Sequence, residues 1–465
     1  MKGDKKPLSI NPYVLIFTVV FICGILSFII TPGTVVDGVY TALPKNEINF
    51  NNIFNIFRAI PYGLKDMSNI MILIFVVGGA LEIYKRTGTI DNGINSMVKV
   101  FGKSSKTLLL IVLIVVFSAL GGFLGWVEVL IPFVPLVVAV VLALGYDSMT
   151  AVAICIVGSM AGFMAGPTNL YTVAICNTTI INMGLVPADY DIFTGLGFRV
   201  VLWLIITAVS TIYIVIYANK VYKDPSKSLM VGVDVSDISL DTSAAEKSKL
   251  TWRHIVVLLT ILAALIMTVI GMNTGFDGVT WSVDDVSTIF LVSALISGIV
   301  GQMKPSEIAS GFIEGAKGSI GGALIVGFAR GVYWIFNTAN INATIVYNLT
   351  EFLRGTSPIA TAIGLIIIVS LINGLIPSGS AKGSLLAPIV VPIGLELGLL
   401  PETTVLAYQF GDGITNMFWF SYGTLLIFLG YGKVPIQKWY KFFVPLMVIF
   451  FIIGFMAVGV SISMN

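Results

Sequence analysis

Two stretches place polar and charged side chains inside otherwise apolar runs. Pro377-Ser378-Gly379-Ser380-Ala381-Lys382-Gly383 interrupts the run from Leu371 to Gly398, and Gly411-Asp412-Gly413-Ile414-Thr415-Asn416 interrupts 402–430. The first half carries two similar interruptions. One is Gly121-Gly122-Phe123-Leu124-Gly125-Trp126-Val127-Glu128, within 107–145, and the other is Ala165-Gly166-Pro167-Thr168-Asn169, within 149–182. Half-helix N-termini present N–H groups and a positive dipole end to an anion, whereas unwound carbonyls and hydroxyls coordinate a cation. The substrate-binding candidates are therefore Ser378, Gly379, Ser380, Lys382, Thr168, Asn169, Asp412, Thr415, Asn416 and Glu128. This chemistry is reversible binding of a carboxylate-bearing small molecule. If Na+ couples its movement, the oxygen donors fall near Asn169, Ser378, Gly411 and Asn416.

Ser, Thr and Gly in membrane helices often only permit close packing. Here such residues recur at all four matching breaks, which favours binding. A charge at mid-membrane costs about 2.5–3.5 kcal/mol on insertion scales and is functional by default, so Asp412, Lys382 and Glu128 carry more weight. At a hairpin tip, Glu128 could instead face cytoplasmic water. Arg330 has no symmetric charge opposite it and is expected to serve as a counter-ion for Asp412 or Glu128. Trp126, Phe418 and Trp419 read as interfacial or packing aromatics rather than substrate platforms.

These residues need a membrane scaffold to hold them. The 465 residues are 57% hydrophobic and 11% charged, with mean hydropathy +0.97, against about 25% charged in soluble chains. The chain reads as an all-α polytopic protein of the cytoplasmic membrane, which excludes soluble binding modules. A net charge of +2, scattered along the chain, gives no nucleic-acid footprint. Cys23, Cys155 and Cys176 lack CxxC spacing and His254 stands alone, so neither a metal centre nor a disulfide framework is expected. No Walker loop or Ser/His/Asp set points to an enzyme, and 13–30 resembles a first span more than a cleaved signal.

Runs long enough to cross about 30 Å of hydrocarbon fall at 13–30, 69–84, 196–218, 253–271, 286–301, 318–335 and 439–460. With the N-terminus inside, 19 of the 26 Lys and Arg lie on the cytoplasmic side, and the C-terminus lies outside. The expected organisation is a scaffold span and external segment at 1–67, a first repeat at 68–218, a cytoplasmic linker at 219–252, scaffold spans at 253–317 and a second repeat at 318–465. Within the repeats, the arms flanking 121–128 and 374–383 measure about 15 residues, or roughly 22 Å at 1.5 Å per residue. They are expected to form re-entrant hairpins at 107–145, from the cytoplasm, and at 359–398, from outside. Each precedes a broken helix, 149–182 or 402–430.

A constant offset of 253 residues relates the halves. Gly78, Gly102, Gly121, Gly145 and Gly158 match Gly331, Gly355, Gly374, Gly398 and Gly411, while Pro135 matches Pro388 and Thr150 matches Thr403. Ten glycines in 75–158 and nine in 328–411 would overlap by chance roughly once, and five matches occur. Span 69–84 runs outward to inward and its counterpart 318–335 the reverse, so the repeats are inverted. Inverted repeats with interrupted helices mark secondary transporters whose site lies where the repeats meet.

At "IPSGSAKGSLLAPIVVPIGLELGL", "TTVLAYQFGDGITNMFWFSYGTLLIFLGYGKVPIQKWYKFFVPL" and "GWVEVLIPFVPLVVAVVLALGYDSMTAVAICIVGSMAGFMAGPTNLYTV", the chain resembles the YfcC group of the ion transporter superfamily. Its relatives include carriers of the DcuC and AbgT types. The resemblance covers roughly 68–460 and implies an elevator-type transporter fold, a homodimer, and coupling to Na+ or H+ without any other cofactor. It also brings a basic amino acid antiporter label. Where the group is expected to read Ser-Gly-Ser-Gly-Gln, this chain has Ser378-Gly379-Ser380-Ala381-Lys382; where relatives read close to Ser-Pro-Ile-Asn, it has Gly166-Pro167-Thr168-Asn169. The Lys382 ammonium is then expected to replace a coupling cation or to pair with a substrate carboxylate, unless it snorkels into an outer vestibule.

The function expected is a secondary active transporter of amino acids or related small carboxylates, working by elevator-type alternating access. The alternatives are a basic amino acid antiporter, a C4-dicarboxylate carrier or, in another class, a passive channel.

Overall fold

Backbone polar groups in hydrocarbon must find partners inside the chain, and helices satisfy most of them locally. The computed structural model describes residues 12–36, 39–90, 92, 93, 96, 106–187, 189–238, 250–377 and 379–464. In chain order the elements begin with α1 Pro12–Ile29, β1 Gly33–Val36, β2 Val39–Ala42, α2 Phe50–Asp66, α3 Ser68–Arg86 and α4 Lys106–Leu124. A 3-10 turn, Glu128–Phe133, leads into α5 Val134–Ala143 and α6 Ser148–Met164. A π-helical turn, Leu170–Ala174, then leads into α7 Ile175–Asn182 and α8 Leu196–Lys223. The second half holds α9 Trp252–Asn273, α10 Val283–Val300, α11 Pro305–Thr338, α12 Asn342–Glu351, α13 Pro358–Asn373 and α14 Gly379–Glu396. It closes with α15 Pro401–Asn416, α16 Gly423–Tyr431 and α17 Ile436–Ser463.

Seven of these helices, α3, α4, α8, α9, α10, α11 and α17, are long and apolar enough to cross a membrane. The expected span 318–335 is the C-terminal part of α11, a 34-residue helix of about 51 Å. It packs against α1, α2 and α3 on one side and α16 on the other. α10 packs on α3, and α9 on α10. Of the remaining helices, α12 packs on the β1–β2 hairpin, α13 and α14, and the others gather around α6 and α15, which touch each other. All 17 residues of α6 are buried, as is α15 from Thr403 to Asn416.

Three features differ from the sequence expectations. The second broken helix is unbroken through 411–416: α15 runs to Asn416 and the interruption falls at 417–422. The first arm, α4, has 19 residues and is long enough to span, so its length alone does not make it re-entrant. The external segment contains an amphipathic helix, α2, and the β1–β2 hairpin, a small departure from an all-α chain. Tyr40 of β2 stacks on Tyr347 of α12 with ring centroids 4.3 Å apart, tying the hairpin to the second half. Gly102 and most of 219–252 beyond residue 238 lie outside the described residues.

The element boundaries follow the 253-residue offset closely. α6 starts at Ser148 and α15 at Pro401; after the breaks, helix resumes at Leu170 and at Gly423. Gly145 and Gly398 both take positive φ, 89° and 85°, and close the preceding helices with the same pair of bonds. Tyr146 N donates to Val141 O and Gly145 N to Leu142 O; Leu399 N donates to Gly394 O and Gly398 N to Leu395 O. This is the left-handed glycine cap that terminates helices. Gly158 lies against Ile114 and Phe117 of α4, and Gly411 against Ile366 and Val369 of α13. A Cβ at Gly121 would sit 1.9 Å from the Ser159 carbonyl oxygen, while one at Gly430 would meet nothing within 4 Å. Gly121→Ala is therefore expected to destabilise by about 1–3 kcal/mol through overpacking, and Gly430→Ala to be neutral. Thermal unfolding of the two detergent-purified variants checks this.

Candidate functional site

Pro167 has no N–H and disfavours helical backbone at Gly166, so α6 stops and its last carbonyls are freed. Asn169, fully buried, takes up part of the deficit. Its Nδ2 donates to the Phe163 carbonyl at 3.0 Å and its Oδ1 accepts the Tyr171 N–H at 2.9 Å. From α15, Gln409 Nε2 donates to the carbonyls of Phe163 and Gly166, each at 3.0 Å. Buried Arg199 of α8 holds that amide through Nη1 to Gln409 Oε1, 2.6 Å. Thr168 Oγ1 donates across to the Phe123 carbonyl at the first tip, 2.8 Å.

The second break is held in a parallel way. Trp439 Nε1 donates to the Met417 carbonyl (2.8 Å) and Tyr440 Oη to that of Phe418 (2.9 Å). Trp419 Nε1 reaches the Ser370 carbonyl (2.7 Å), and Ser421 Oγ donates to the Gly374 carbonyl at the second tip, also 2.7 Å. Ser421 thus does what Thr168 does, 253 residues earlier.

Beside this break sits a fully buried ion pair. Lys382, from the first turn of α14, and Asp412, from α15, are both 0% exposed and joined between Nζ and Oδ1. Nζ also donates to Asn373 Oδ1, at the end of α13. Asn373 Nδ2 lies within 3.0 Å of three acceptors: the Asp412 carbonyl, Thr415 Oγ1 and Asn416 Oδ1. Asn416 Nδ2 returns a bond to Asp412 Oδ1 at 3.1 Å. The lysine therefore neither snorkels to a vestibule nor waits unpaired for a substrate carboxylate; Asp412 holds it.

A cavity of about 400 Å³ opens next to this network, where tips and breaks meet α3 and α11. Glu128 of the first tip, Phe163 and Tyr171 beside the first break, Pro377 and Gly379 of the second tip, and Asn416 with Ser421–Thr424 around the second break all contribute lining. Glu128 Oε1 accepts the Tyr422 hydroxyl at 2.9 Å. The lining also includes Arg330 and Asp66, paired through Nε and Oδ2 at 2.9 Å, with the guanidinium 4.1 Å from the centre of the Tyr333 ring. Arg330 is thus the counter-ion of Asp66 and not of Asp412 or Glu128.

The candidate residues therefore fall into three groups. Glu128, Gly379 and Asn416 line the cavity. Lys382, Asp412 and Thr415 form the network behind it, and Thr168 and Asn169 brace the first break. Ser378 lies outside the described residues, as does the side chain of Ser380. Of the expected Na+ donors that are described, Asn169 is engaged at the first break, and the Gly411 carbonyl accepts Thr415 Oγ1 (2.7 Å) and Ser370 Oγ (3.2 Å). Among the described residues no group of three His, Cys, Asp or Glu could hold a metal ion. Sequence reasoning missed Asp66, Asn373, Ser421, Tyr422 and Thr424. The offset that matches Thr168 and Asn169 to 421 and 422 was the available signal for two of them.

The sequence profile of the C4-dicarboxylate anaerobic carrier family, DcuC, matches residues 10–463. YfcC of Escherichia coli strain K12, provisionally named a basic amino acid antiporter, is 28% identical over 86% of this chain and 78% of its own. An uncharacterised protein of Haemophilus influenzae Rd is 25% identical over 90% of this chain and 80% of its own. Among solved structures, MtrF of Neisseria gonorrhoeae, from a class of antimetabolite efflux pumps, aligns over 97% of this chain and 95% of its own. That alignment has 17% identity and a TM-score of 0.44.

Gln409 ties α15 to the break of the first half, so its removal should strand the Phe163 and Gly166 carbonyls and loosen Arg199. Gln409→Ala is expected to cost about 1–3 kcal/mol, the penalty for buried groups left unsatisfied. A fall in unfolding temperature, larger than that of an exposed control such as Gln302→Ala, is the measurement.

Proposed function

The chain belongs to the C4-dicarboxylate anaerobic carrier family, a family of membrane transporters, and from that premise we propose that it is a secondary active transporter of amino acids or related small carboxylates. The observation that carries the substrate class is the cavity lining. Arg330 and Glu128 line the same space of about 400 Å³, so the lining offers a cation for a carboxylate and an anion for an ammonium. A guanidinium binds carboxylates through a planar fork, and Asp66 would keep Arg330 oriented while its remaining N–H groups bind substrate. Glu128 and Asp66 outnumber Arg330, so the lining is net acidic. That balance disfavours the C4-dicarboxylates in the family's description. It supports, as a second reading, the basic amino acids in the name of the YfcC relative.

Movement in this proposal is of elevator type. The helices around α6 and α15 would carry the site past a scaffold containing α1, the external segment and α9–α10, with the cavity at the boundary. The shared offset of helix ends, glycine caps and tip-to-break bonds supports an inverted repeat with the two tips as re-entrant hairpins. The proposed setting is the cytoplasmic membrane, multi-pass, N-terminus inside and C-terminus outside, as a homodimer.

Counterflow into proteoliposomes with labelled arginine, ornithine, glutamate and succinate tests the reading. Saturable, trans-stimulated uptake of at least one amino acid, with succinate inert, is expected. Glu128→Gln and Arg330→Gln should each raise KM by about tenfold or more, as loss of one charge-assisted contact implies. Succinate transported in preference, with Glu128→Gln silent, would reject the amino acid assignment. Uptake that neither saturates nor trans-stimulates would indicate a channel.

A further inference from the structure

We infer that Lys382 is a tethered cation, occupying from within the protein the place a bound alkali ion would fill, so that substrate moves without Na+. The inference rests on the transporter reading and specifies how its site is charged. Around the ammonium stand the donors a hard cation selects: a carboxylate oxygen of Asp412 and an amide oxygen of Asn373, with Thr415 Oγ1 and Asn416 Oδ1 in the same network. Oxygen atoms of these types are the ligands of hard cations. A lysine ammonium is a compact point charge with three donors, and can take such a place.

Asp412 could not stay charged in this position alone. It is fully buried, and an uncompensated carboxylate at membrane depth is prohibitive. Something positive must accompany it through the cycle. A diffusible ion would have to bind and leave, and so couple transport to its own gradient. Lys382 cannot leave, because it is covalently part of α14 and enclosed in protein; Gly383 beside it packs on Tyr171 and Ile175. An Na+ ion in the same position would meet both the volume and the charge of the ammonium.

The placement also explains why the pair matters to substrate. Asn373 and Lys382 belong to the second hairpin, whereas Asp412 belongs to α15, so the pair fastens the tip to the broken helix. Asn416, one turn after Asp412, bonds to the same carboxylate oxygen and lines the cavity. The second oxygen of Asp412 is buried and has no partner among the described residues. This is the position at which an ion could still compete, which makes a measurement on the unmodified protein decisive.

Thermal unfolding of the purified protein in sodium chloride and in choline chloride of equal ionic strength reads ion binding without requiring transport. Equal unfolding temperatures are expected for the unmodified protein, together with the same substrate KM in both salts. Lys382→Gln should acquire a saturable upward shift with Na+, because Asp412 then lacks its cation. The double variant Lys382→Gln/Asp412→Asn should fold and lose that shift. A Na+-dependent shift or lower KM in the unmodified protein overturns the inference, as does a folded Lys382→Gln that ignores Na+. Failure of Lys382→Gln to fold leaves the comparison on the unmodified protein to decide. A failed counterflow assay would instead reject the transporter reading and leave these unfolding results intact.

Discussion

Freeing backbone groups inside the hydrocarbon is the constraint on which the rest of this structure depends. Two helices at the centre stop at 165–169 and 417–422, and no water of the bulk kind is there to complete their hydrogen bonds. Each freed carbonyl must therefore have a side chain assigned to it. Asn169, Gln409 and Thr168 serve the first break, and Trp439, Tyr440, Ser421 and Trp419 serve the second. Gln409, Trp439 and Tyr440 reach the breaks from other elements, while Thr168, Trp419 and Ser421 reach out from the breaks to carbonyls of Phe123, Ser370 and Gly374, so satisfying the breaks fixes how the halves are assembled. Gln409 is the clearest instance, since a residue of α15 completes the broken end of α6.

Once the breaks are held, polarity can be concentrated beside them at tolerable cost. The Lys382–Asp412 pair sits in a network whose other members are hydrogen-bonded amides and a hydroxyl, the condition under which a buried ion pair is sustainable. The open cavity lies one turn away and carries a different set of charges, Glu128, Asp66 and Arg330. Buried and accessible charge are thus separated: the first neutralises itself inside the protein, and the second is left to meet a solute. A carrier needs that separation, because the groups that hold its architecture must not change partners each time substrate leaves.

How much was legible in the sequence follows from which physical signal each part leaves. Hydropathy marked the long spans, and proline marked the first break, because Pro167 must end a helix. The second break has no such residue. Met417-Phe418-Trp419-Phe420-Ser421-Tyr422 contains neither Pro nor Gly, whereas Gly411-Asp412-Gly413 looks like an interruption and is helical. The glycines at 411 and 413 serve close packing against α13 and Met164 instead. Applied strictly, the 253-residue offset moves 165–169 to 418–422, within the observed break. Register therefore marks the second break where local composition does not. Lys382 and Asp412 were each recognisable as costly buried charges, but their pairing is a tertiary fact, 30 residues apart on two elements.

Asp66 shows the other limit. It ends α2, an amphipathic helix whose sequence, with Lys65 and Arg58 nearby, reads as an external segment. Only the fold of α2 back against α11 brings its carboxylate to Arg330. That contact reverses the role first expected for the arginine. Instead of neutralising an acid in the broken-helix core, Arg330 is fixed at the cavity wall by an acid from outside the repeats, oriented by Tyr333 beneath it. The helices of the two halves bring both Glu128 and Arg330 to the cavity, whereas the acid that holds Arg330 comes from α2. In the proposed carrier, selectivity is then set where α11 meets α2, an element outside the proposed repeats.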